Sequence, residues 1–474
     1  MAAELPLEKL RAYLRELTPE ARGLLLARLE SDGADSAAVP AGEFILQELR
    51  RDLAPASRPA RVQSNPDRIG TPARIFFTPL EPFLFDDAPE YAHRGRIARA
   101  ALEPVWLWIC RDLMPKEAKV YSDQITRVML TNDRPTSERL ARAFQDQAVV
   151  RMREALAAVR EDVKARQRLN VQVGVARAHD HLGEIIGILR ARDALAVFAS
   201  RLPAQIRNLA DEQLDNVKAL LDSPIGGHPD VFVYALILVM GRLVAPWQLV
   251  RLAVRAAESD IAAKMVNTRY GAAVSIVLAE MERTLVVLRD DMKHGQFAAV
   301  GERLKDIYDA SRLLRTEMDL SGDSAWARQL ATVRSEVSNL IKDEIETVPG
   351  RVLRLLRPRK PGEARWGRVL DAIDVEETEA LIEFLNVCRT YASELAINEV
   401  TLRVYSELQN YLETGMAPLL DGLRGSDDGQ REYRLSQVEA AVRFAGKVFG
   451  SSYAALLAKA AEVAQGGERK AAKA

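Results

Sequence analysis

Between about Tyr270 and Val348 apolar side chains recur every three or four positions in three consecutive runs. The first is Val274, Leu278, Met281, Leu285, Leu288 and Met292. After Lys293-His294-Gly295-Gln296 come Phe297, Val300, Leu304, Ile307, Ser311 and Leu314, and after Ser321-Gly322-Asp323 come Trp326, Leu330, Val333, Val337 and Leu340. Steps averaging about three and a half put each run on one stripe of a helix, which must bury itself against other helices. Short connections make successive helices antiparallel neighbours, so residues 259–348 read as a three-helix spine.

The same pattern extends in both directions. Residues 1–53 carry short amphipathic helices: Leu7, Leu10, Leu14 and Leu17 line the first, Leu24, Leu25 and Leu29 the second, and a third spans about Glu43 to Leu53. Helices this short do not hold by themselves, so they dock on the main body, as a cap or a docking hairpin, or on a partner chain. Repeated prolines remove the helical period over 54–89. Phe76, Phe77, Phe83 and Phe85 crowd together there, too apolar to leave wet. They predict an extended strap packed along a groove between helices, or else a peptide-like ligand for another protein.

Residues 90–177 read as further bundle helices, with one helix through Ile97, Val105 and Leu113 to Met114, a second opened by Pro115, and a long third from Leu140 to Val163. Shorter pieces with Pro at their starts follow over 178–258, a solenoid-like layer without a fixed repeat. Val348-Pro349-Gly350 opens a basic linker, 349–370. The C-terminal helices, 371–465, are expected as one rod from about Glu376 to Thr414 and a final helix from about Gln430 to Ala464, with 466–474 a frayed tail. The fold class is therefore all-α: an elongated multi-helix bundle of long antiparallel helices plus a short-helix layer.

Composition narrows the setting. With 474 residues and 48% hydrophobic side chains the chain buries a large core, while 66 Lys+Arg against 67 Asp+Glu leave a net charge of −1 and no global field toward nucleic acid or membrane. Cys110 and Cys388 sit among apolar neighbours and read as reduced thiols, and the N-terminus has no basic region leading into an apolar core, so the expected location is cytoplasmic. The most apolar stretch, Val231 to Val239, is far short of the roughly 20 residues that span a bilayer. Abundant Arg and Ala are compatible with a GC-rich bacterial coding sequence.

Phosphate-cradling glycine loops and a G-x-S-x-G elbow are absent from the sequence, so no nucleotide cofactor or catalytic set is expected. Glu90/His93, His181/Glu184 and Asp291/His294 each pair a carboxylate with an imidazole on one helix face, but a di-iron bundle needs two further glutamates, and no metal is expected. The sharpest charge feature is Arg351, Arg354, Arg357, Arg359, Lys360, Arg365 and Arg368, followed at once by Asp371, Asp374, Glu376, Glu377, Glu379 and Glu383. It reads as a solvated turn paired with the acidic helix start, or as a surface for nucleic acid or anionic membrane with Trp366 available to stack.

The leading expectation is a non-catalytic cytoplasmic scaffold or adaptor, partnered by another protein or by its own copy. The alternative is an α-helical enzyme with an interhelical pocket covered by the 76–85 strap, in which two or more of His93, His179, His181, His228 and His294 converge with carboxylates. If the basic stretch is a solvated turn, changing Arg354, Arg357, Arg359 and Lys360 to Glu leaves binding to RNA, DNA and anionic liposomes unchanged; salt-dependent binding lost in that variant contradicts it.

Overall fold

The apolar stripes fold as α-helices in a computed structural model that describes residues 71–86, 94–131, 133–159, 162–320, 324–357, 369–393, 397–426 and 428–471. The expectations for 1–53 and 54–70, together with His93, Arg359, Lys360, Arg365, Trp366 and Arg368, lie outside those residues. The described chain is an all-α helical bundle. Extended pairing among the described residues amounts to β1 (Leu84–Phe85) lying parallel to β2 (Ile97–Ala98), plus two isolated bridges. No described helix is long and apolar enough to cross a membrane.

The first part holds α1 (Thr71–Phe77), a 3₁₀ turn (Thr78–Phe83), α2 (Leu102–Trp108), α3 (Pro115–Leu130), α4 (Arg134–Val159), α5 (Val163–Val173) and α6 (Ala178–Arg201). Next come α7 (Asp211–Asp222), α8 (Pro229–Met240), α9 (Val250–Ala257) and α10 (Ala262–Val266). The spine is α11 (Gly271–Lys293), α12 (Phe297–Glu317) and α13 (Ala325–Ile345). The chain ends in α14 (Val348–Leu356), α15 (Ala372–Tyr391), α16 (Asn398–Arg424), α17 (Asp428–Phe449) and α18 (Ser451–Ala471). Helix α4 packs on α1, α3 and α6; α6 packs on α8; and α8 and α9 pass the first half on to α11.

Cap chemistry explains why the spine turns where it does. Gly295 takes φ +67, its N–H bonds Met292 O at 3.0 Å and the Gln296 N–H bonds Asp291 O at 2.9 Å, closing α11 in a Schellman motif that folds α12 back onto it. Ser324 Oγ accepts from the Ala327 N–H at 3.0 Å and starts α13, which also packs on α11. Helix α12 turns its other flank to α15.

Several elements differ from the sequence expectation. Over residues 76–83 the segment is not extended: α1 and the 3₁₀ turn carry Phe76, Phe77 and Phe83 inward, and the chain is extended only at Leu84–Phe85. The helix expected to reach Met114 is β2, a 3₁₀ turn, α2 and a π turn over Ile109–Leu113. The long third helix stops at Val159, because Asp162 caps a new helix by accepting from Lys164 N at 2.8 Å. Pro349 does not break the chain but sits in the first turn of α14, where its missing N–H costs nothing.

The expected rod from Glu376 to Thr414 is two helices, α15 and α16, packed on each other with Arg389 stacked over the Tyr405 ring at 3.6 Å. Folding back lets both stripes bury, whereas Leu402, read as part of one rod's stripe, is 60% exposed. Pro418 lies inside α16 without ending it, since burial of Met416, Leu419 and Leu423 outweighs a Pro cost of about 3 kcal/mol. Gly450, at φ +94, splits the last helix into α17 and α18, and α18 continues through Gly466 to Ala471.

Leu304, fully buried on α12, gives a direct test of the spine. Leu304→Ala is expected to cost about 3 kcal/mol in urea unfolding, and Leu402→Ala less than about 0.5 kcal/mol; equal effects would contradict the assigned faces.

Candidate functional site

Two concavities flank the Thr78–Phe83 turn, and an aromatic wall fixes both. Phe76 meets Phe77, Trp106 and Phe144 at ring-centroid distances of 4.9, 5.4 and 5.5 Å, and Tyr121 stacks on Phe144 at 4.5 Å. Tyr121 Oη donates to Pro72 O at 3.1 Å, which satisfies the one polar atom of the cluster at that end. Phe76, Phe77, Phe83 and Phe85 are all buried. Proline at positions 79 and 82 holds the turn in its tight 3₁₀ form.

The first concavity is an open, mainly apolar groove of about 690 Å³. Pro79, Pro82 and Phe83 form one wall, Ala141 and Gln145 of α4 the floor, and Leu195, Ala196 and Ala199 of α6 the other wall. Met129 and Leu130 at the end of α3 stand exposed at 41% and 85%, Met129 on the groove's lip. Buried Gln145 and partly buried Arg192 reach the floor. Gln145 Nε2 donates to Phe76 O at 2.7 Å, which assigns the amide orientation and leaves Oε1 with no hydrogen-bond partner. Arg192 donates from Nη1 to Leu189 O at 2.9 Å and pairs with Asp146 at 2.8 Å, while its Nε has no partner.

The second concavity, about 440 Å³ and open, is lined by Arg94, Arg96, Arg177, His179, Asp180, His181 and Glu184. Gly95 lets the 94–96 turn approach: it has φ +79, and a Cβ there would stand 2.1 Å from Ile237 Cδ1. Glu184 ties this turn down, accepting from the Gly95 N–H and from Tyr234 Oη at 3.0 Å. Tyr234 reaches across only because residue 187 is glycine, since a Cβ there would lie 2.1 Å from the Tyr234 hydroxyl. On its other side Tyr234 meets Phe83 edge-on at 5.7 Å, so one ring separates cleft from groove.

Electrostatics in the cleft follow from burial and pairing. Burial pushes the Glu184 carboxyl above its ordinary range, more than the Gly95 and Tyr234 bonds hold it down. Burial alone would also raise Glu280, but the guanidiniums of Arg96 and Arg283, both at 2.8 Å, bring it below the ordinary value. Arg177 pairs with Asp180 at 2.9 Å. The arrangement can anchor a turn, and it places two imidazoles beside two carboxylates.

The structure thus gathers His179 and His181 with Asp180 and Glu184, while His228 caps α8 by accepting from Asp230 N, and His294 closes α11 with Nδ1 2.8 Å from Asp290 O. Among the described residues no three His, Cys, Asp or Glu side chains form a metal-holding group. Of the basic stretch, Arg351 faces Glu377 at 3.5 Å and Arg354 faces Asp374 at 3.6 Å; Arg357 ends α14, exposed. Gln145, Arg192 and Tyr234 were not legible as site residues; the one signal was a glutamine within the apolar face of α4.

Fold and site together define an all-α helical protein with an apolar groove and a polar cleft on either side of one aromatic wall. No protein-family model, curated protein or solved structure matches the chain.

With its folded pKa raised, Glu184 favours the folded state below the unfolded value of about 4.3, and that contribution is lost as pH rises through the folded value. Glu184→Gln is therefore expected to gain melting temperature relative to the parent as pH rises from acid to neutral; a pH-independent difference would contradict the assignment. Gly95→Ala, strained and clashing, is expected to lose about 2 kcal/mol in denaturant unfolding; parental stability would contradict the role given to Gly95.

Proposed function

We propose that the protein is a non-catalytic, cytoplasmic α-helical adaptor that holds an apolar helical segment of another protein in the groove between the Thr78–Phe83 turn, α4 and α6. The observation that carries this reading is the groove itself: apolar walls, an exposed apolar lip at Met129, and a floor with one acceptor and one donor still unused. Laying an amphipathic helix into such a groove is a recurrent mode of recognition. Free thiols at Cys110 and Cys388 support the cytoplasmic placement.

A second reading, an enzyme, draws on His179 and His181 meeting Asp180 and Glu184 in the cleft. Against it, Glu184 is engaged in holding the Gly95 turn, and no histidine among the described residues lines the groove under the 78–83 segment. Binding of nucleic acid or anionic membrane through 351–368 is supported less, because Arg351 and Arg354 already face carboxylates.

Ala196 is exposed on the groove wall, so Ala196→Arg fills the groove without disturbing the core. A partner captured by the parent protein is expected to be lost with this variant while circular dichroism stays the same. Retention of that partner, or a solitary monomer across growth conditions, would contradict the proposal.

A further inference from the structure

We propose that a pocket between α8, α11 and α12, sharing no lining residue with the groove or the cleft, binds a small organic cation: an ammonium group on an apolar body. The 3₁₀ turn Pro246–Leu249 packs on both α11 and α12 and closes one side, bringing Trp247 into the lining. The floor is apolar: Met240, Val277, Met281, Ile307 and Ala310 line it and are all buried. Thioether side chains adapt to irregular apolar shapes, and the half-buried Trp247 supplies an indole, the ring that attracts a cation best. At about 270 Å³ the space falls just under the roughly 300 Å³ where pockets for drug-sized ligands begin, so its occupant is small.

Charge selects a cation. Arg283, the guanidinium of the lining, donates from Nε to Glu280 Oε2 at 2.8 Å, and Glu280 also accepts from Arg96 Nε at 2.8 Å, so both charges on the α11 wall are committed. Asp306, on the α12 wall, has neither a hydrogen bond nor an ion pair among the described residues. Arg303, one turn earlier, pairs instead with Asp291 at 3.9 Å. Burial is the main reason that the Asp306 carboxyl lies above its ordinary range, and the charges of Arg303 and Lys305 do not bring it back down. A half-buried carboxylate beside an apolar floor lacks a countercharge, and an ammonium supplies it through charge-assisted hydrogen bonds. Thr284 donates its hydroxyl to Glu280 O at 2.8 Å and keeps lone pairs for a further donor.

Isothermal titration of the full chain with phenethylammonium chloride tests this, with 2-phenylethanol as the neutral probe and phenylacetate as the anionic one. The ammonium is expected to bind at least about tenfold more tightly than either. Asp306→Asn is expected to weaken it about tenfold or more and Trp247→Leu about threefold or more, with circular dichroism unchanged. Asp309→Asn, which removes a carboxylate of the same helix outside the pocket, is expected to leave binding as it is. No binding, equal binding of the three probes, binding retained in Asp306→Asn or an equal loss in Asp309→Asn would each overturn the proposal. None of those results would touch the groove as a partner site, which is tested by partner capture.

Discussion

Burial of α11 on more than one side is the constraint on which the rest of the molecule depends. Its stripe from Val274 to Met292 is covered by α12, but Ala273, Ile276, Val277 and Val287 are buried as well, against α8, α9 and α13. Small residues set the closest approaches: a Cβ at Gly271 would stand 2.9 Å from Met265 O. Each fully buried Leu, Ile, Val or Met contributes about 1.5–3 kcal/mol. A surface pair such as Arg289–Glu336, about half exposed on both sides, contributes about 0–1 kcal/mol. Apolar packing around α11 therefore decides the fold, and the many ion pairs adjust it.

That packing also fixes the two concavities. Glu280 projects from α11 to Arg96, and α8, seated on α11, carries Tyr234 to Glu184 and Phe83. The turn at Gly95 is thereby held from α6, α8 and α11 at once, and the Thr78–Phe83 turn is held behind it. Phe83 on the groove side and Glu184 on the cleft side are both held by Tyr234, so the two concavities are coupled through one side chain.

The period of apolar positions made the spine and the all-α class legible, and prolines such as Pro115 and Pro229 marked helix starts because a first-turn proline is local chemistry. Breaks made by backbone conformation were not legible: Gly450 resembles any helical glycine until its φ of +94 is seen, and the fold-back between Tyr391 and Asn398 depends on two stripes finding each other. Prolines misled in the other direction, since those at 79, 82, 349 and 418 are accommodated in helical turns whose neighbours are buried. The groove depends on Gln145 and Arg192 meeting from helices far apart in sequence, which spacing cannot reveal. His181 and Glu184 were visible as an i, i+3 pair, but their companions Arg94, Arg96 and Tyr234 come from other elements.

Native-state hydrogen exchange along α11 measures the central claim most directly. Amides between Val274 and Leu288 are expected in the slowest class, opening only with global unfolding, while those of α5, where only Leu169 and Val173 are buried, exchange through local opening. Exchange of α11 as fast as that of α5 would contradict the account, because the helix that anchors both concavities would then open on its own.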